Sequence, residues 1–411
     1  MRAPSAMIGT MIDAGFATER LAHLDRVLHD YVDNGLIPGV QTLIWRHGHL
    51  VHRDRFGFVD VDDATPVADD TIYRLYSMTK PITSVALMML YERGHFLMEN
   101  PVSRWIPSFA DTEVFTGGTA DAPETRPLAS PLTIHHMLTH TSGLTYGFQY
   151  SHPVDELYRR VALGDFFTAP DYDLDGAMER LAAQPLQFEP GSAWNYSMST
   201  DVCGALVERM SGMKLDEFFA TEIFEPLGMV DTGFVAPDSD VGRCSPLYVV
   251  APDAGMNRLA SGRSMTRAPS MLSGGGGLVG TADDYLRFCR MLLGGGELDG
   301  VRLLSPRTVD FMMANHLPGG ATMNDMGQAT FSEVAMAGTG FGLGFSVLLD
   351  PVANGALGSP GLAAWGGAAS TAFWVDRHED LAVVFMTQLL PSSTYPLRRH
   401  LQAGVYQALI D

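Results

Sequence analysis

The sequence has few cysteines and no long apolar run. Its cysteines, Cys203, Cys244 and Cys289, are odd in number and form no Cys-x-x-Cys pair, so neither a disulfide framework nor a zinc site is indicated. Residues 1–20 hold no apolar run of about seven to fifteen residues, which argues against a secretory signal. No stretch of about eighteen apolar residues occurs that could span a membrane. These absences predict a reducing compartment, and hence a cytoplasmic protein with no membrane partner.

Positive charge is also scarce. The chain has 27 Lys and Arg residues and 47 Asp and Glu residues, which gives a net charge of −20 at pH 7. Such an excess of negative charge argues against nucleic acid or an anionic membrane surface as a partner, because both are polyanions. The remaining composition, 46% hydrophobic and 18% charged, is typical of a globular protein. At roughly 150 residues per domain, 411 residues predict two or three domains.

The two ends of the chain carry patterns that predict one shared α+β domain. Leucines at helical spacing predict a helix over 18–33, and two apolar runs predict a hairpin over 40–56. Apolar runs at 373–375 and 381–386 predict strands, and 397–410 predicts a final helix. Residues 95–235 show helical patches with little strand pattern. We therefore expect a mostly antiparallel sheet flanked by helices over 1–85 and 255–411, a mostly helical domain over 86–254, and the active site in the cleft between them.

Ser77 and Lys80 form a Ser-x-x-Lys motif at a predicted helix start. Residues three apart lie on the same face of a helix, so the amine can reach the hydroxyl. Pro81 is tolerated only in the first helical turn, which places the helix start close to Ser77. The Ser77 amide would then lack an intrahelical partner, so this residue could supply a nucleophile and half of an oxyanion hole. The alternative is a chance motif in which Ser77 merely caps the helix.

Two further segments carry residues that could assist such a serine. Tyr196 follows a Pro-Gly turn, and a tyrosine near a lysine ammonium can relay protons, although a packed aromatic is the alternative. Trp365-Gly366-Gly367 precedes a predicted strand. Small residues there allow a backbone to approach a substrate closely, and an edge N–H can supply the second oxyanion donor. A glycine bulge in a curved sheet is the alternative for this segment.

These motifs in this order resemble those of serine β-lactamase-like proteins. Two supporting segments are LTIHHMLTHTSGL at 132–144 and SGGGGL at 273–278, and the resemblance extends over about 21–410. Within the family the chain most resembles the class C β-lactamase-like esterases called family VIII carboxylesterases. The resemblance implies a β-lactamase/penicillin-binding-protein-like fold. It also implies roles for four residues: Ser77 as nucleophile, Lys80 as its basic partner, Tyr196 as general base, and Ala368, whose amide joins that of Ser77 in the oxyanion hole.

Two departures from the family pattern change the expected pocket. Trp365 stands where class C β-lactamases and penicillin-binding proteins have Lys or His, and Met198 stands where they usually have Asn. The missing cation removes a partner for the carboxylate of a β-lactam or peptide, and the missing amide removes a polar contact. Together with Gly366 and Gly367, these residues are expected to line a more apolar pocket, which favours neutral esters with a short acyl group.

Other motifs give weaker signals. Gly275, Gly277 and Gly280 fit a dinucleotide-binding fingerprint, but no apolar strand precedes them, so a tight loop leading to a capped helix is the better interpretation. His136 and His140 are four apart, yet no third metal ligand is evident. No Gly-x-Ser-x-Gly occurs, which argues against an α/β-hydrolase. We therefore expect neither a metal nor a cofactor.

The sequence thus predicts a serine hydrolase of carboxylic esters that acts through an acyl-enzyme on Ser77. The partner expected is a small-molecule ester, and the oligomeric state is left open. A β-lactamase or D-Ala peptidase, and an acyltransferase, share the same acyl-enzyme and stay open as alternatives. The alternative outside enzymes is a non-catalytic sensor that becomes acylated and stays so, against which the complete set of Ser77, Lys80 and Tyr196 argues.

Overall fold

The computed structural model describes residues 14–165, 170–251, 255–259, 264–327 and 331–411. None of the helices in these ranges is both long enough and apolar enough to span a membrane. A π-helical stretch joins α7 to α8. The α-helices of the described ranges, in chain order, are α1 (Thr18–Asp33), α2 (Thr79–Glu92), α3 (Ile134–Leu138), α4 (Pro153–Arg160), α5 (Leu174–Ala182), α6 (Ser199–Ser211), α7 (Leu215–Phe219), α8 (Glu225–Leu227), α9 (Ala282–Leu293), α10 (Pro306–Met312), α11 (Met323–Met326), α12 (Pro351–Asn354) and α13 (Leu397–Tyr406).

The strands of the same ranges form one large sheet and several small ones. The large sheet has eight antiparallel strands in the order β12-β13-β14-β15-β16-β1-β2-β3. The strands in chain order are β1 (Gly39–Arg46), β2 (His49–Asp60), β3 (Thr65–Pro66), β4 (Tyr73–Arg74), β5 (Glu113–Gly118), β6 (Pro123–Pro127), β7 (Tyr248–Val250), β8 (Met256–Arg258), β9 (Val279–Gly280), β10 (Glu297–Leu298), β11 (Val301–Arg302), β12 (Thr339–Phe341), β13 (Ser346–Leu348), β14 (Ala363–Gly366), β15 (Ala372–Asp376), β16 (Leu381–Met386) and β17 (Leu389–Leu390).

The centre of the large sheet is buried on both faces. Strand β1 pairs with β2 on one side and with β16 on the other, so Leu43 lies opposite both Arg53 and Val384. Ile44 and Val383 pack with apolar residues of α1 and α13, whereas Leu43 and Val384 belong to the core that includes α9. Because successive side chains of a strand alternate between faces, helices must cover both sides of such an apolar strand. The predicted antiparallel sheet flanked by helices is confirmed.

The middle of the chain is mostly helical, but it contains a hairpin that the sequence pattern did not indicate. Strands β5 and β6 pair antiparallel between residues 113 and 127. Strand β6 begins and ends with proline and is exposed throughout, so it lacks the alternation that marks a half-buried strand. Little strand structure was predicted over 95–235, and this hairpin is the part of it that the pattern did not locate.

The final helix ends earlier than its apolar pattern predicted. Helix α13 stops at Tyr406 rather than at Ile410. Beyond it, Leu409 forms a bridge with Phe16, and the Ile410 amide donates to the Gly15 carbonyl. The last residues thus pair with the start of the chain. The predicted domain boundaries stay a prediction, and the boundary between residues 85 and 86 falls inside the continuous helix α2.

Candidate active site

Ser77 lies in a tight turn between strand β4 and helix α2. The turn is a 3-10 helix, Tyr76–Met78, and the α-helix begins at Thr79, so Ser77 lies two residues before the helix that the motif predicted it would open. Tyr76 has a φ of 46°, a left-handed conformation that costs a non-glycine residue about 1 kcal/mol or more. The turn is fixed because the Leu75 amide donates to the Leu278 carbonyl. Ser77 itself is 2% exposed.

Lys80 is fully buried and contacts three oxygens. Its Nζ lies 3.3 Å from Ser77 Oγ, 3.0 Å from the Tyr146 hydroxyl and 2.7 Å from the Gly275 carbonyl oxygen. The position of that carbonyl depends on Asp201, whose carboxylate accepts from the Gly275 amide at 3.1 Å. A Cβ at Gly275 would lie 2.5 Å from this carboxylate, so only glycine fits there. The contacts with Tyr146 and Gly275 thus fix the Lys80 amine beside the Ser77 oxygen.

Burial brings the pKa of Lys80 towards neutrality. Desolvation disfavours the ammonium and lowers the pKa from 10.5 to about 8, although the negative charges of Asp201 and Glu333 oppose the shift. A measurable fraction of Lys80 is therefore neutral near pH 7 to 8, and a neutral amine can accept a proton.

Tyr196 completes a three-residue cluster around the serine oxygen. Its hydroxyl donates to Ser77 Oγ at 2.5 Å, and Lys80 Nζ lies 4.5 Å from the centre of its ring. Desolvation raises the pKa of Tyr196 well above 10, and the nearby charge of Glu333 acts in the same direction. Tyr196 therefore keeps its proton at neutral pH. The structure brings together Ser77, Lys80 and Tyr196, as their motifs predicted.

Two backbone amides near the serine have no backbone acceptor within the described ranges. They belong to Ser77 and Ala368, the pair expected to form an oxyanion hole. Ala368 lies in a tight turn after β14, in which the Ser370 amide donates to the Gly367 carbonyl at 3.0 Å. Strand β14 packs beside the 3-10 turn that carries Ser77. Amides without a backbone partner are available to a developing negative charge.

A cavity of about 400 Å³ opens at the serine. Ser77 and Met198 line it, together with Tyr146 and Met271. Charged side chains of both signs also reach it, since the lining includes two arginines and two aspartates, namely Arg74, Arg267, Asp165 and Asp201. The volume is typical of a site for a small organic molecule.

Trp365, Gly366 and Gly367, which were expected to line the substrate pocket, are not among the residues that line this cavity, and neither is Ala368. Trp365 is 1% exposed, and its ring packs against those of Tyr196 and Phe341, each with centres 5.4 Å apart. Its indole N–H has no aligned hydrogen-bond partner in the described ranges. Trp365 supports Tyr196 by packing, and its place in a substrate pocket stays a prediction.

The beta-lactamase family matches residues 24–407. The chain belongs to this family. Esterase EstB of Burkholderia gladioli is 33% identical over 411 aligned residues, which cover 95% of this chain and 96% of EstB. A lovastatin esterase of Penicillium rubens is 31% identical and covers 88% of this chain and 91% of its own length. Among solved structures, EstCE1, described as a hydrolase with promiscuous acyltransferase activity, superposes with a TM-score of 0.80 at 28% identity, covering 94% of this chain and 99% of EstCE1.

Family membership also confirms the predicted fold, a β-lactamase and penicillin-binding-protein-like antiparallel sheet flanked by helices. A penicillin-binding protein homologue from Pyrococcus abyssi superposes on 95% of the chain with a TM-score of 0.67. At 22% identity this likeness concerns the fold alone.

The two histidines weighed as metal ligands serve local structure in this family member. His136 Nδ1 accepts from the Thr133 amide at the start of α3, whereas His140 lies beyond the end of that helix with a φ of 56°. The ring of His140 is buried and its Nδ1 contacts Ser197 Oγ at 3.0 Å. Within the described ranges, no group of three or more His, Cys, Asp or Glu residues could hold a metal ion.

Tyr146 and the carbonyl of Gly275 were not predicted from the sequence. Both contact Lys80 and so belong to the site. Tyr146 follows the segment 132–144 by two residues, and Gly275 lies in the segment 273–278. Both segments were recognised as family signatures, so their proximity to the site could have been inferred. The contacts themselves join residues 66 and 195 positions apart, which no local pattern reports.

Proposed function

We propose that the chain is a serine hydrolase that cleaves carboxylic esters through an acyl-enzyme on Ser77. The observation that carries the proposal is the convergence of Lys80 Nζ and the Tyr196 hydroxyl on Ser77 Oγ at the end of a cavity. A serine hydroxyl becomes a good nucleophile when a neighbouring base can take its proton. The relatives named as esterases, EstB above all, support the choice of ester as substrate class.

The pKa shifts assign different tasks to the two groups beside Ser77. Burial lowers the pKa of Lys80 to about 8 but raises that of Tyr196. The neutral amine of Lys80 is therefore the base available near neutral pH, and it takes the proton as Ser77 Oγ attacks the ester carbonyl. The Tyr196 hydroxyl, which stays protonated, lies where it can protonate the leaving alkoxide. This division refines the general-base role that the family resemblance gave to Tyr196.

The remaining steps follow from the same atoms. The carbonyl oxygen becomes negatively charged and accepts from the amides of Ser77 and Ala368. Collapse of the tetrahedral intermediate breaks the ester C–O bond, and the leaving alkoxide takes the Tyr196 proton. The Lys80 ammonium then returns a proton to Tyr196, so the amine is neutral again. Water attacks the acyl group as Lys80 takes one of its protons, and collapse of this second intermediate breaks the bond to Ser77 Oγ, which is reprotonated through Tyr196 by Lys80 as the carboxylic acid leaves.

The charges around the cavity favour an uncharged substrate. Arg74 and Arg267 line it, but so do Asp165 and Asp201. The Arg74 guanidinium donates to the Ser245 carbonyl at 2.8 Å, so it is already engaged by the protein. We therefore propose neutral esters as the preferred class, and the short acyl group expected from the sequence stays part of the proposal. The expected partner is a small-molecule ester, and a cytoplasmic location stays part of the proposal.

Acyl transfer to an alcohol is the second candidate function. The structure of EstCE1, which covers most of both chains, is described as that of a hydrolase with promiscuous acyltransferase activity. An alcohol that enters the cavity after acylation would attack the same acyl-enzyme in place of water. Product analysis with p-nitrophenyl butyrate and added butanol separates the two outcomes, because transfer yields butyl butyrate and hydrolysis yields butyrate.

The proposal is tested by removing the serine oxygen. Ser77→Ala is expected to abolish hydrolysis of p-nitrophenyl butyrate, whereas Ser239→Ala, at an exposed position of a short 3-10 helix, keeps the wild-type rate. An alkyl phosphonate is expected to inactivate the wild type and to label the peptide that carries Ser77 in mass spectrometry. A folded Ser77→Ala variant with an unchanged rate would refute the proposed function.

A further inference from the structure

Arg398 lies behind the turn that carries the second expected oxyanion donor. It occupies the first turn of helix α13, and its Nη2 donates to the Gly367 carbonyl and to the Thr371 carbonyl, each at 2.8 Å. These are the two carbonyls that close the turn after β14, because they also accept the amides of Ser370 and Gly367. One guanidinium nitrogen therefore ties both ends of the turn together.

The Gly367 carbonyl and the Ala368 amide belong to the same peptide group. A trans peptide is planar, and its C=O and N–H point in opposite directions. Because Arg398 holds the C=O from behind, the N–H of Ala368 is directed to the other side, and it has no backbone acceptor in the described ranges. A cation on the C=O also polarises the peptide, which makes its N–H a stronger donor.

Glu333 holds Arg398 in this position. Its carboxylate, fully buried, accepts from Arg398 Nη2 at 2.8 Å and from Ser392 Oγ at 3.0 Å, and its backbone carbonyl accepts from Arg398 Nη1. The Arg398 side chain is 22% exposed, so the buried Glu333 carboxylate is the group that most needs the pairing, because an unpaired charge away from water is strongly unfavourable. Nη2 carries two hydrogens, which the carboxylate and the two carbonyls share, while Nη1 serves the Glu333 backbone carbonyl. A lysine ammonium is a single nitrogen and cannot make the Nη1 contact as well.

Gly366 provides the space that the guanidinium needs. A Cβ at this position would lie 2.4 Å from Arg398 Nη2 and 2.5 Å from its Cζ. From the sequence, the small residues of this segment were expected to allow close approach to a substrate. In the structure, glycine is needed at position 366 because the Arg398 guanidinium packs against it. The segment and the arginine are coupled parts of one arrangement.

We propose that Arg398, anchored by Glu333, is a positioning residue that aims and polarises the Ala368 N–H for the oxyanion of the reaction. This inference rests on the proposed ester hydrolysis. Arg398 acts through the peptide between residues 367 and 368 and does not touch the substrate. Its effect is therefore expected on the tetrahedral state, in which the oxygen is charged, and much less on binding of the neutral ester.

The experiment compares Arg398→Lys and Arg398→Met with Arg399→Met. Arg399 is the matched control, since it is the next residue of the same helix and binds Asn354 instead. We expect kcat for p-nitrophenyl butyrate to fall by at least about tenfold in Arg398→Met, and less in Arg398→Lys, with KM within about twofold of wild type. Arg399→Met keeps the wild-type kcat.

Inhibition by butylboronic acid distinguishes a positioning role of Arg398 from a role in stability alone, because only the positioning role predicts weaker inhibition. The boronate forms a tetrahedral adduct on the serine oxygen, so its Ki is expected to rise by about the factor by which kcat/KM falls. Unchanged kcat in folded Arg398 variants, or a loss shared equally by Arg399→Met, would overturn the inference. The same holds if KM rises while kcat and the boronate Ki stay constant.

Glu333→Gln keeps the inference testable if the Arg398 variants do not fold. It removes the charge that anchors Arg398 and that raises the pKa of Lys80. On the alkaline plateau, where Lys80 is neutral in both proteins, we expect a lower kcat, together with an acid limb of the kcat/KM profile displaced to lower pH. A normal kcat on that plateau would contradict the inference. Failure of the proposed function is distinguishable, because it appears as a wild type without Ser77-dependent hydrolysis.

Discussion

Lys80 and Lys214 are the only two lysines of the chain, and their surroundings shift their pKa values in opposite directions. Burial lowers the pKa of Lys80 to about 8. The Lys214 ammonium is largely exposed and pairs with Glu208 at 3.1 Å, which raises its pKa. The contrast shows that one residue type becomes a base or stays a cation according to its solvation.

The two lysines make the pKa of Lys80 directly measurable. With lysine labelled at its terminal carbon, NMR is expected to show two resonances, one titrating near pH 8 and the other above 10.5. Lys214→Arg removes the second resonance and so assigns the first. Because only the neutral amine accepts a proton, kcat/KM is expected to rise as pH passes through about 8. Two midpoints near 10.5 would show that burial does not make Lys80 a base.

Lys80 and Tyr196 act on the same oxygen, so the factors by which their substitutions lower kcat are not expected to multiply in the double variant. Lys80→Met and Tyr196→Phe should each lower kcat by at least about a hundredfold, the usual scale for a positioned acid or base. The double variant is expected to lose far less than the product of the two factors. Tyr31→Phe, at a tyrosine remote from the site, is the control. Strictly multiplicative losses, measured with p-nitrophenyl butyrate, would refute a shared proton path.

At the scale of elements, local patterns predicted most of the framework. Helix α1 was predicted with its observed ends, and the strands around Leu43 and Val384 were recognised from their apolar runs. Pro81 correctly placed the start of α2 within about two residues. These elements are defined by the side-chain periodicity of a short segment, so a sequence alone reports them.

Contacts between distant segments could not be predicted in this way. Arg398 reaches a turn 31 residues away, and nothing in the pattern of α13 distinguishes it from Arg399. The 3-10 turn before α2 likewise depends on Tyr76 adopting a positive φ, which no tyrosine favours by itself. Tertiary packing imposes both features. The three motif residues of the site could therefore be predicted from the sequence, whereas the role of Arg398 and the conformation of the turn could not.

The cap of helix α9 offers a test of an element that the sequence did predict. A capped helix was expected to follow the loop that ends at Gly280, and its N-cap is Thr281, whose Oγ1 accepts from the Asp284 amide at 3.2 Å. Thr281→Ala should lower the free energy of unfolding by about 1 kcal/mol, as loss of an N-cap usually does. Thr281→Ser keeps the hydroxyl and should stay near wild type. Equal stability of the alanine and serine variants in urea unfolding would contradict the capping role.

At the scale of the whole molecule, the net charge of −20 acts on every approaching substrate. A negative surface repels anions over a distance set by the ionic strength. Among the side chains that line the cavity, two arginines are matched by two aspartates, so the lining offers a carboxylate no excess of positive charge. Both effects point the same way, because an anionic substrate is disfavoured on approach and again on desolvation.

A matched pair of esters tests this combined effect. The kcat/KM for neutral p-nitrophenyl butyrate is expected to exceed that for mono-p-nitrophenyl glutarate, which carries a carboxylate, by at least about tenfold, or about 1.4 kcal/mol. A chromogenic cephalosporin, also a carboxylate, should be a poor substrate for the same reason.

Raising the salt from about 0.01 M to about 1 M shortens the Debye length from about 30 Å to about 3 Å. The ratio of kcat/KM for the neutral ester to that for the anionic ester should therefore fall without reaching one. The part of the preference for the neutral ester that disappears at high salt reports the repulsion by the net charge of the molecule. The part that remains reports the cost of placing a carboxylate in the cavity. Equal efficiencies for the two esters at low salt would overturn the argument for a neutral substrate, and rapid cephalosporin hydrolysis would favour a β-lactamase instead.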